Sequence, residues 1–368
     1  MKKFNTIMTI SIFAFILIFY SIIFITTPKK EYSISEKRLL EQAPNLSAET
    51  VLSGEYFSEL ETYFLDQFPY RDAFRKTKAI INNKILQKND NNDLFNIGEH
   101  IFKIDYPLSI SSTLKASEKI NSITKNYLKG SNVYYSVIPD KNYFLRNEYD
   151  RLTYDYDEMM NILNDNIETA SYIDIFDTLT LSDYYNTDLH IKQEKFFETR
   201  DKLYSEMNDG TLLPLSSKDE YSTQTLPKFY GTYHYQYALS SVHDELLYLT
   251  DDVVSNSTYT TVEDDLVHQV YDENPESLKD SYDIFLGGAK AIVEITNNNA
   301  KVNKELIMFR DSFASSLAPL MLSGYSKITL IDLRYIASDK LKDYVDFAGQ
   351  DVLFLYNTSL INSAHILK

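Results

Sequence analysis

The chain contains no cysteine. Its fold therefore needs no disulfide, and it has neither a thiolate nucleophile nor a cysteine-ligated metal. An oxidising exterior would neither help nor harm it. Positive charge is scarce: 36 lysines and arginines stand against 53 aspartates and glutamates, a formal net charge of -17 at pH 7. That balance repels phosphate backbones and argues against nucleic-acid binding. It leaves room for an anionic envelope polymer held in a local positive groove. Two catalytic signatures are also missing, the His-Glu-x-x-His zinc motif and the Gly-x-Ser-x-Gly nucleophile turn. No small-residue cleavage site follows the N-terminal apolar run, because Ile22, Ile23, Phe24 and Ile25 stand where a cleaved signal needs small side chains.

That run is the first positive signal. Residues 4–28 are almost uncharged behind Met1-Lys2-Lys3, and residues 6–27 suffice to cross a lipid bilayer as a helix. We read an uncleaved signal anchor, with a cleaved signal peptide as the alternative. Lys2 and Lys3 favour an inside N-terminus, with Lys29 and Lys30 weakening the contrast. The expectation is a single-pass cell-membrane protein whose C-terminal part is extracellular. Residues 1–28 form the cytoplasmic tip and anchor, 29–92 a stalk and helical lead-in, and 93–368 one exterior domain with an elaborated insert near 211–280.

The lead-in carries a helical face of Tyr56, Phe57, Leu60, Phe64 and Phe68. Pro69 ends that helix, and a second is expected over 70–86. Beyond it, short strands flank Gly98. Helices are predicted over 112–128, 152–168, 192–207, 314–322 and 338–347, and strands over 132–138, 172–176, 291–295, 306–309, 327–331 and 352–356. The alternation predicts an α/β fold with a parallel central sheet and helical crossovers. The tyrosine-rich stretch 221–268 is expected to form strands and loops that elaborate a site.

The candidate chemistry is split along the chain. Ser312 sits at a strand-to-helix turn, in Phe309-Arg310-Asp311-Ser312-Phe313, where a hydroxyl can stand exposed above a sheet. Asp188 and His190 are one residue apart, so the carboxylate can orient the imidazole and the imidazole can take the serine proton. The structural alternative is a helix cap at Asp188 and a histidine bonded to a buried carbonyl. Oxyanion donors are sought at the Ser312 N–H, at Gly231 and at Gly288. Arg310 could orient Asp311 or bind an acidic substrate, Lys141 could floor a pocket, and Tyr230 belongs to a tyrosine platform suited to sugars. His234 and His243, with Asp244 and Glu245, are the one arrangement that suggests a metal, and they lack a recognised ligand spacing. No metal or organic cofactor is expected.

Taken together, these segments resemble the DHHW family, related to the SGNH-like alginate O-acetylation proteins. The resemblance rests on Ser35-Glu36-Lys37-Arg38, Asp66-Gln67-Phe68-Pro69-Tyr70-Arg71, Ile138-Pro139-Asp140-Lys141 and Tyr184-Tyr185-Asn186-Thr187-Asp188-Leu189-His190. Further along it rests on Phe285-Leu286-Gly287-Gly288-Ala289, Arg310-Asp311-Ser312-Phe313 and Ile331-Asp332-Leu333-Arg334-Tyr335. It implies an SGNH-hydrolase-like domain with Asp188, His190 and Ser312 as triad. The chain order matches the alginate-type proteins, whereas ordinary SGNH hydrolases place serine first. The implied activity is transfer or removal of an O-acetyl group on a cell-envelope polysaccharide through an acyl-serine, with a small ester or a membrane acetyl-donor protein as source. Leu189 and Ile191 replace the histidine and tryptophan of the family's name motif, and Ala289 stands where asparagine often follows the two glycines. Those departures motivate the competing reading, a noncatalytic glycan-binding or envelope-assembly protein on the same fold. A lipase or peptidase-like hydrolase is a third.

Overall fold

The computed structural model describes the chain except Met1, Ile34, Lys37, residues 147–151, Asp209, residues 211–212, residues 240–241, Asp265, Glu273, residues 275–277 and Lys279. Lys37 of the Ser35–Arg38 motif and parts of the expected insert thus lie outside the described residues. Contacts divide the chain into two units, residues 1–92 with 235–240, and residues 93–234 with 241–368.

In the first unit, α1 (Lys2–Thr26) is long and apolar enough to cross a membrane. Lys29 closes its C-terminal end, the ammonium lying 3.4 Å from the Phe24 ring centroid and donating to the Phe24 carbonyl. A cation there complements the negative end of the helix dipole. A hairpin of β1 (Tyr32–Ser33) and β2 (Arg38–Leu39) precedes α2 (Ala48–Ser53), α3 (Glu55–Asp66) and α4 (Arg71–Ile80). Residues within 30–41 bond to these helices and the turn between them. Asp66 accepts both Arg38 Nη1 (2.7 Å) and Nη2 (2.5 Å), together with the Glu41 N–H (2.9 Å). Glu36 takes Arg71 at 2.5 and 3.0 Å. Gln67 bonds Lys30 through both its N–H and its carbonyl, and also bonds the Glu41 carbonyl. These pairings hold the Asp66 and Glu36 carboxyls below the usual carboxylate range, the Arg38 bond leading for Asp66 and Arg71 being the first favourable partner of Glu36.

The second unit begins with the hairpin β3 (Leu94–Ile97) and β4 (His100–Lys103), then α5 (Ile110–Tyr127), β5 (Val133–Ile138), α6 (Tyr156–Asn166), β6 (Ser171–Tyr172) and α7 (Phe197–Met207). Next come β7 (Ser222–Phe229), the short α8 (Thr232–Tyr237, of which residues 235–237 are counted with the first unit), β8 (Asp244–Thr250), α9 (Asp252–Ser255), β9 (Thr258–Thr261), β10 (His268–Gln269) and β11 (Ile292–Thr296). The chain closes with β12 (Glu305–Arg310), α10 (Ala314–Met321), β13 (Lys327–Ile331), β14 (Asp351–Asn357) and α11 (Thr358–Asn362). The main sheet runs β10-β9-β11-β13-β12-β14-β5-β6. It is parallel from β13 to β6, as the α/β reading expects, and its other edge, β11-β9-β10, is antiparallel.

Alternation along the central strands explains the layering. Leu306, Met308, Leu353 and Leu355 face one core with Leu203 of α7 and Leu317 of α10. Ile307, Phe309, Val352 and Phe354 face the other with Ile120 of α5 and Met159 of α6. β12 thus lies buried mid-sheet, and whatever follows it emerges at the carboxyl edge, where open α/β sheets place their sites. Within the expected insert, β7 and β8 pair as a separate antiparallel ribbon. The helix expected over 338–347 is a 3-10 turn, Ser338–Asp343, and the strand expected over 172–176 shortens to Ser171–Tyr172.

Candidate active site

Ser312 is displayed by a turn whose own hydrogen bonds are internally satisfied. Asp311 is buried, and its carboxylate accepts the Phe313 N–H (3.1 Å) on one oxygen and the Asn357 N–H, at the end of β14, on the other (2.7 Å). Burial pushes this carboxyl upward, opposed by Arg334 and those two amides. The Ala314 N–H returns to the Asp311 carbonyl and the Ser315 N–H to that of Ser312. Asp311 therefore ties the end of β12 to the end of β14, and Ser312 is left partly exposed between buried neighbours.

Ser312 Oγ lies 2.8 Å from His190 Nε2, and His190 Nδ1 lies 2.6 Å from Asp188 Oδ1. A carboxylate only accepts, so Nδ1 carries the proton and Nε2 presents its lone pair to the serine hydroxyl. The Asp188 carboxylate is fixed at both oxygens: Oδ1 also accepts the His190 N–H (3.1 Å), and Oδ2 accepts the Thr232 N–H (2.6 Å). The imidazole is held in plane by Tyr282, stacked at 3.9 Å and 12°, and by Phe313 at 4.9 Å. The Tyr282 hydroxyl is anchored 3.1 Å from Ser316 Oγ in α10. The two split motifs are thus brought into one hydrogen-bonded series.

The loop bearing Asp188 is gripped from two sides. Its amides go to Asp244 at the start of β8, which accepts the Asn186 N–H, the Thr187 N–H and the Thr187 hydroxyl at 2.6–2.8 Å. Its carbonyls go to Lys141, whose buried ammonium reaches those of Tyr185 (2.9 Å), Asn186 (3.1 Å) and Asp188 (3.2 Å), as well as Ile101 (2.6 Å). Burial pulls the Lys141 pKa down to about 7, opposed by Asp188 and Asp244. Asp244, Thr232 and Tyr282 have no sequence signal linking them to Asp188 or His190, because every one of these contacts is long-range.

Among the other candidates, Lys141, Arg310 and Gly231 are placed differently from the expectation. Lys141 lies beneath the loop with its ammonium occupied by carbonyls, so it supports the site without facing a substrate. Arg310 is 1% exposed, pairs with Asp332 at 3.8 Å and donates to the Asp311 carbonyl. It too lies under the turn, out of reach of a substrate in solution. Gly231 gives its N–H to Thr187 Oγ1 (3.0 Å), which occupies the donor that an oxyanion would need. Its lack of a side chain has another cause: a Cβ there would collide with Asp188 Cβ and the Thr187 carbonyl. Gly288 ends a left-handed run, with φ of 62° at Leu286, 70° at Gly287 and 80° at Gly288, and a Cβ on it would strike Asp283 Oδ1. Tyr230 is partly exposed and rests against the rings of His234 and His243 at 4.7 and 5.8 Å. Asp244, expected beside a possible metal pair, is committed to the Asp188 loop. Among the described residues no group of three or more histidines and carboxylates is arranged to hold a metal.

Against solved structures, the chain superposes on a DHHW family protein from Eubacterium siraeum with a TM-score of 0.62, at 20% identity, covering 74% of this chain and 93% of that one. The chain has the fold of a DHHW family protein. Two structures of Bacillus cereus PatB1, one bearing a sulfonyl adduct, match with TM-scores of 0.57 and 0.58 at 17% identity, each covering 73% of this chain and 96–97% of theirs. No family model matches the sequence, and no curated protein matches it. The α/β architecture expected from the sequence, with a parallel central sheet, is the one observed.

Proposed function

We propose that this protein is a membrane-anchored acyl-transfer enzyme that moves or removes O-acetyl groups on a cell-envelope polysaccharide, with its second unit on the exterior side. The observation that carries the proposal is the Ser312–His190–Asp188 series at 2.8 and 2.6 Å. The Ser312 hydroxyl gives its proton to His190 Nε2 as Oγ attacks the acetyl carbonyl. The imidazolium so formed is stabilised by Asp188 and returns the proton to the departing alcohol, leaving acetyl-Ser312. A second alcohol, or water, then gives its proton to Nε2 as it attacks the acetyl carbonyl; the Ser312 Oγ–acyl bond breaks and Nε2 returns the proton to Oγ, which restores the hydroxyl. With Phe313, Ala314 and Ser315 amides bonded within the turn, the Ser312 N–H is the leading oxyanion donor, and Gly288 remains a candidate second donor. Tyr230 is the remaining sugar-facing candidate, and a membrane acetyl-donor protein remains a candidate source of acetyl groups.

The proposal is tested by offering the full-length protein an activated acetyl ester together with a chito-oligosaccharide or another envelope glycan fragment. O-acetylated oligosaccharide supports transfer, and loss of acetyl groups from a pre-acetylated glycan supports the esterase direction. Folded protein that does neither, and that binds the glycan nonetheless, supports the noncatalytic reading motivated by Ala289.

A further inference from the structure

The first unit carries an aromatic tip whose depth is set by α1. Tyr20 and Phe24 lie in the last two turns of that helix. Phe24 meets Tyr63 (5.7 Å) and Phe64 (5.0 Å), while Tyr20 stacks on Phe68 (5.5 Å, 19°) and touches Phe74 (6.3 Å). Stepping back along α1 from Phe24 to Tyr20 therefore steps forward from the end of α3 through the Phe68-Pro69-Tyr70 turn into α4. α3 runs antiparallel to the end of α1, and the α3–α4 turn points along α1 towards its middle.

The apolar run 4–27 is about 36 Å long at ~1.5 Å per residue, against a hydrocarbon core of about 30 Å. If α1 spans a bilayer, the far boundary of the core falls between about residues 23 and 27 wherever the helix is set, and Tyr20 lies roughly 5–10 Å inside it. Phe68 and Phe74, in contact with Tyr20, share that depth, which is the depth at which interfacial helices seat their apolar faces. The rings are not used up by packing on α1. Phe64, Leu65, Phe68, Tyr70 and Phe74 remain 41–68% exposed with α1 in place. Tyr70, the most exposed, is held at φ +59°, a conformation that ordinarily favours glycine or asparagine, and tyrosine is a headgroup-level anchor. The first charge after the turn, Arg71, is paired with Glu36, and the exposed Asp72 beyond it lies 3.7 Å from Arg75, pairings that relieve part of the cost of charge at that level.

We propose that the α3–α4 turn is a second membrane contact, a wedge of Phe64, Leu65, Phe68, Tyr70 and Phe74 seated in the acyl–headgroup boundary of the leaflet at the C-terminal end of α1. The partner is the lipid surface itself. The proposal rests on α1 spanning a bilayer and is independent of which side faces the cytoplasm.

The test uses the absence of cysteine. Leu65→Cys and Tyr70→Cys, with Thr62→Cys and Ile12→Cys as references, are spin-labelled one at a time in the full-length protein. Each is reconstituted in nanodiscs of phosphatidylcholine and phosphatidylglycerol, and collision with oxygen is compared with collision with a water-soluble nickel chelate. The proposal expects positions 65 and 70 to follow position 12, with an oxygen-to-nickel ratio several-fold above that at Thr62. Nickel access at 65 and 70 equal to that at 62, with position 12 in lipid, would overturn the wedge and leave the anchor intact. Exclusion of both reagents would also overturn it, by showing that protein covers the tip. Position 12 open to nickel would remove the anchor and the wedge together.

Discussion

Replacing Lys141 with methionine tests how the fold organises the Asp188 loop. Methionine keeps most of the stem volume and removes the ammonium, which spreads three N–H donors over the carbonyls of Ile101, Tyr185, Asn186 and Asp188. Bonds from a charged donor contribute roughly 1.5–3 kcal/mol each, so about 5–9 kcal/mol of favourable interaction is lost. Burying the ammonium costs several kcal/mol, which the variant recovers. The expected net loss is ~2–4 kcal/mol, because the carbonyls stay behind unpartnered. The damage should be local. Hydrogen exchange followed by mass spectrometry should show faster exchange across residues 185–190, and kcat on an acetyl ester should fall with little change in KM. A linkage signature accompanies this. Native Lys141 titrates near 7 and the unfolded residue near 10.5, so across that window unfolding takes up a proton. Wild-type stability should therefore rise with pH relative to Lys141→Met between those values. Unchanged exchange at 185–190 together with unchanged kcat would refute the view that this ammonium holds the loop.

Asp188→Asn places an NH2 against N–H donors of His190 or Thr232, so kcat/KM on an acetyl ester should drop about 10³–10⁴-fold with the fold retained by circular dichroism. Gly231→Ala forces a Cβ into Asp188 Cβ and the Thr187 carbonyl; it should lower stability by roughly 1–3 kcal/mol, read as a lower denaturant midpoint, and slow turnover as the carboxylate shifts. His100 has its pKa lowered to about 4, chiefly by burial and then by Lys141. Its folded value lies below its unfolded 6.5, so its contribution is complete above pH 6.5 and is lost as pH falls towards 4. His100→Gln should flatten the melting-temperature profile in that window.

What could be read in advance follows the range of the interactions. The α/β alternation was legible because helix and strand periodicities are local, and the strands at 132–138, 306–309 and 352–356 became the parallel centre of the sheet. Asp188, His190 and Ser312 were legible as residue types in short motifs, and the fold brings all three within hydrogen-bonding distance. Their supports were not. Lys141 and Asp244 act on main-chain groups of residues about 45 and 57 positions away, and no periodicity announces a side chain bonding a distant carbonyl. Gly231 is legible only as a candidate oxyanion donor, because a glycine in sequence does not say which backbone approaches it. Arg310 looked available for the same reason: burial is a property of the sheet above and below it. The hold of the segment before the helices is not legible, because the Glu36–Arg71 and Arg38–Asp66 pairs join segments about 30 residues apart.

Acylation of Ser312 with the help of His190 is the step on which the proposed chemistry depends. The most direct measurement is peptide mass spectrometry of the full-length protein after brief exposure to an activated acetyl ester. The expected result is a gain of ~42 Da on the peptide containing Ser312, absent in Ser312→Ala and strongly slowed in His190→Ala. An acetyl group that still accumulates at the same rate in Ser312→Ala, or folded wild-type protein that takes up none from several small donors, would contradict it.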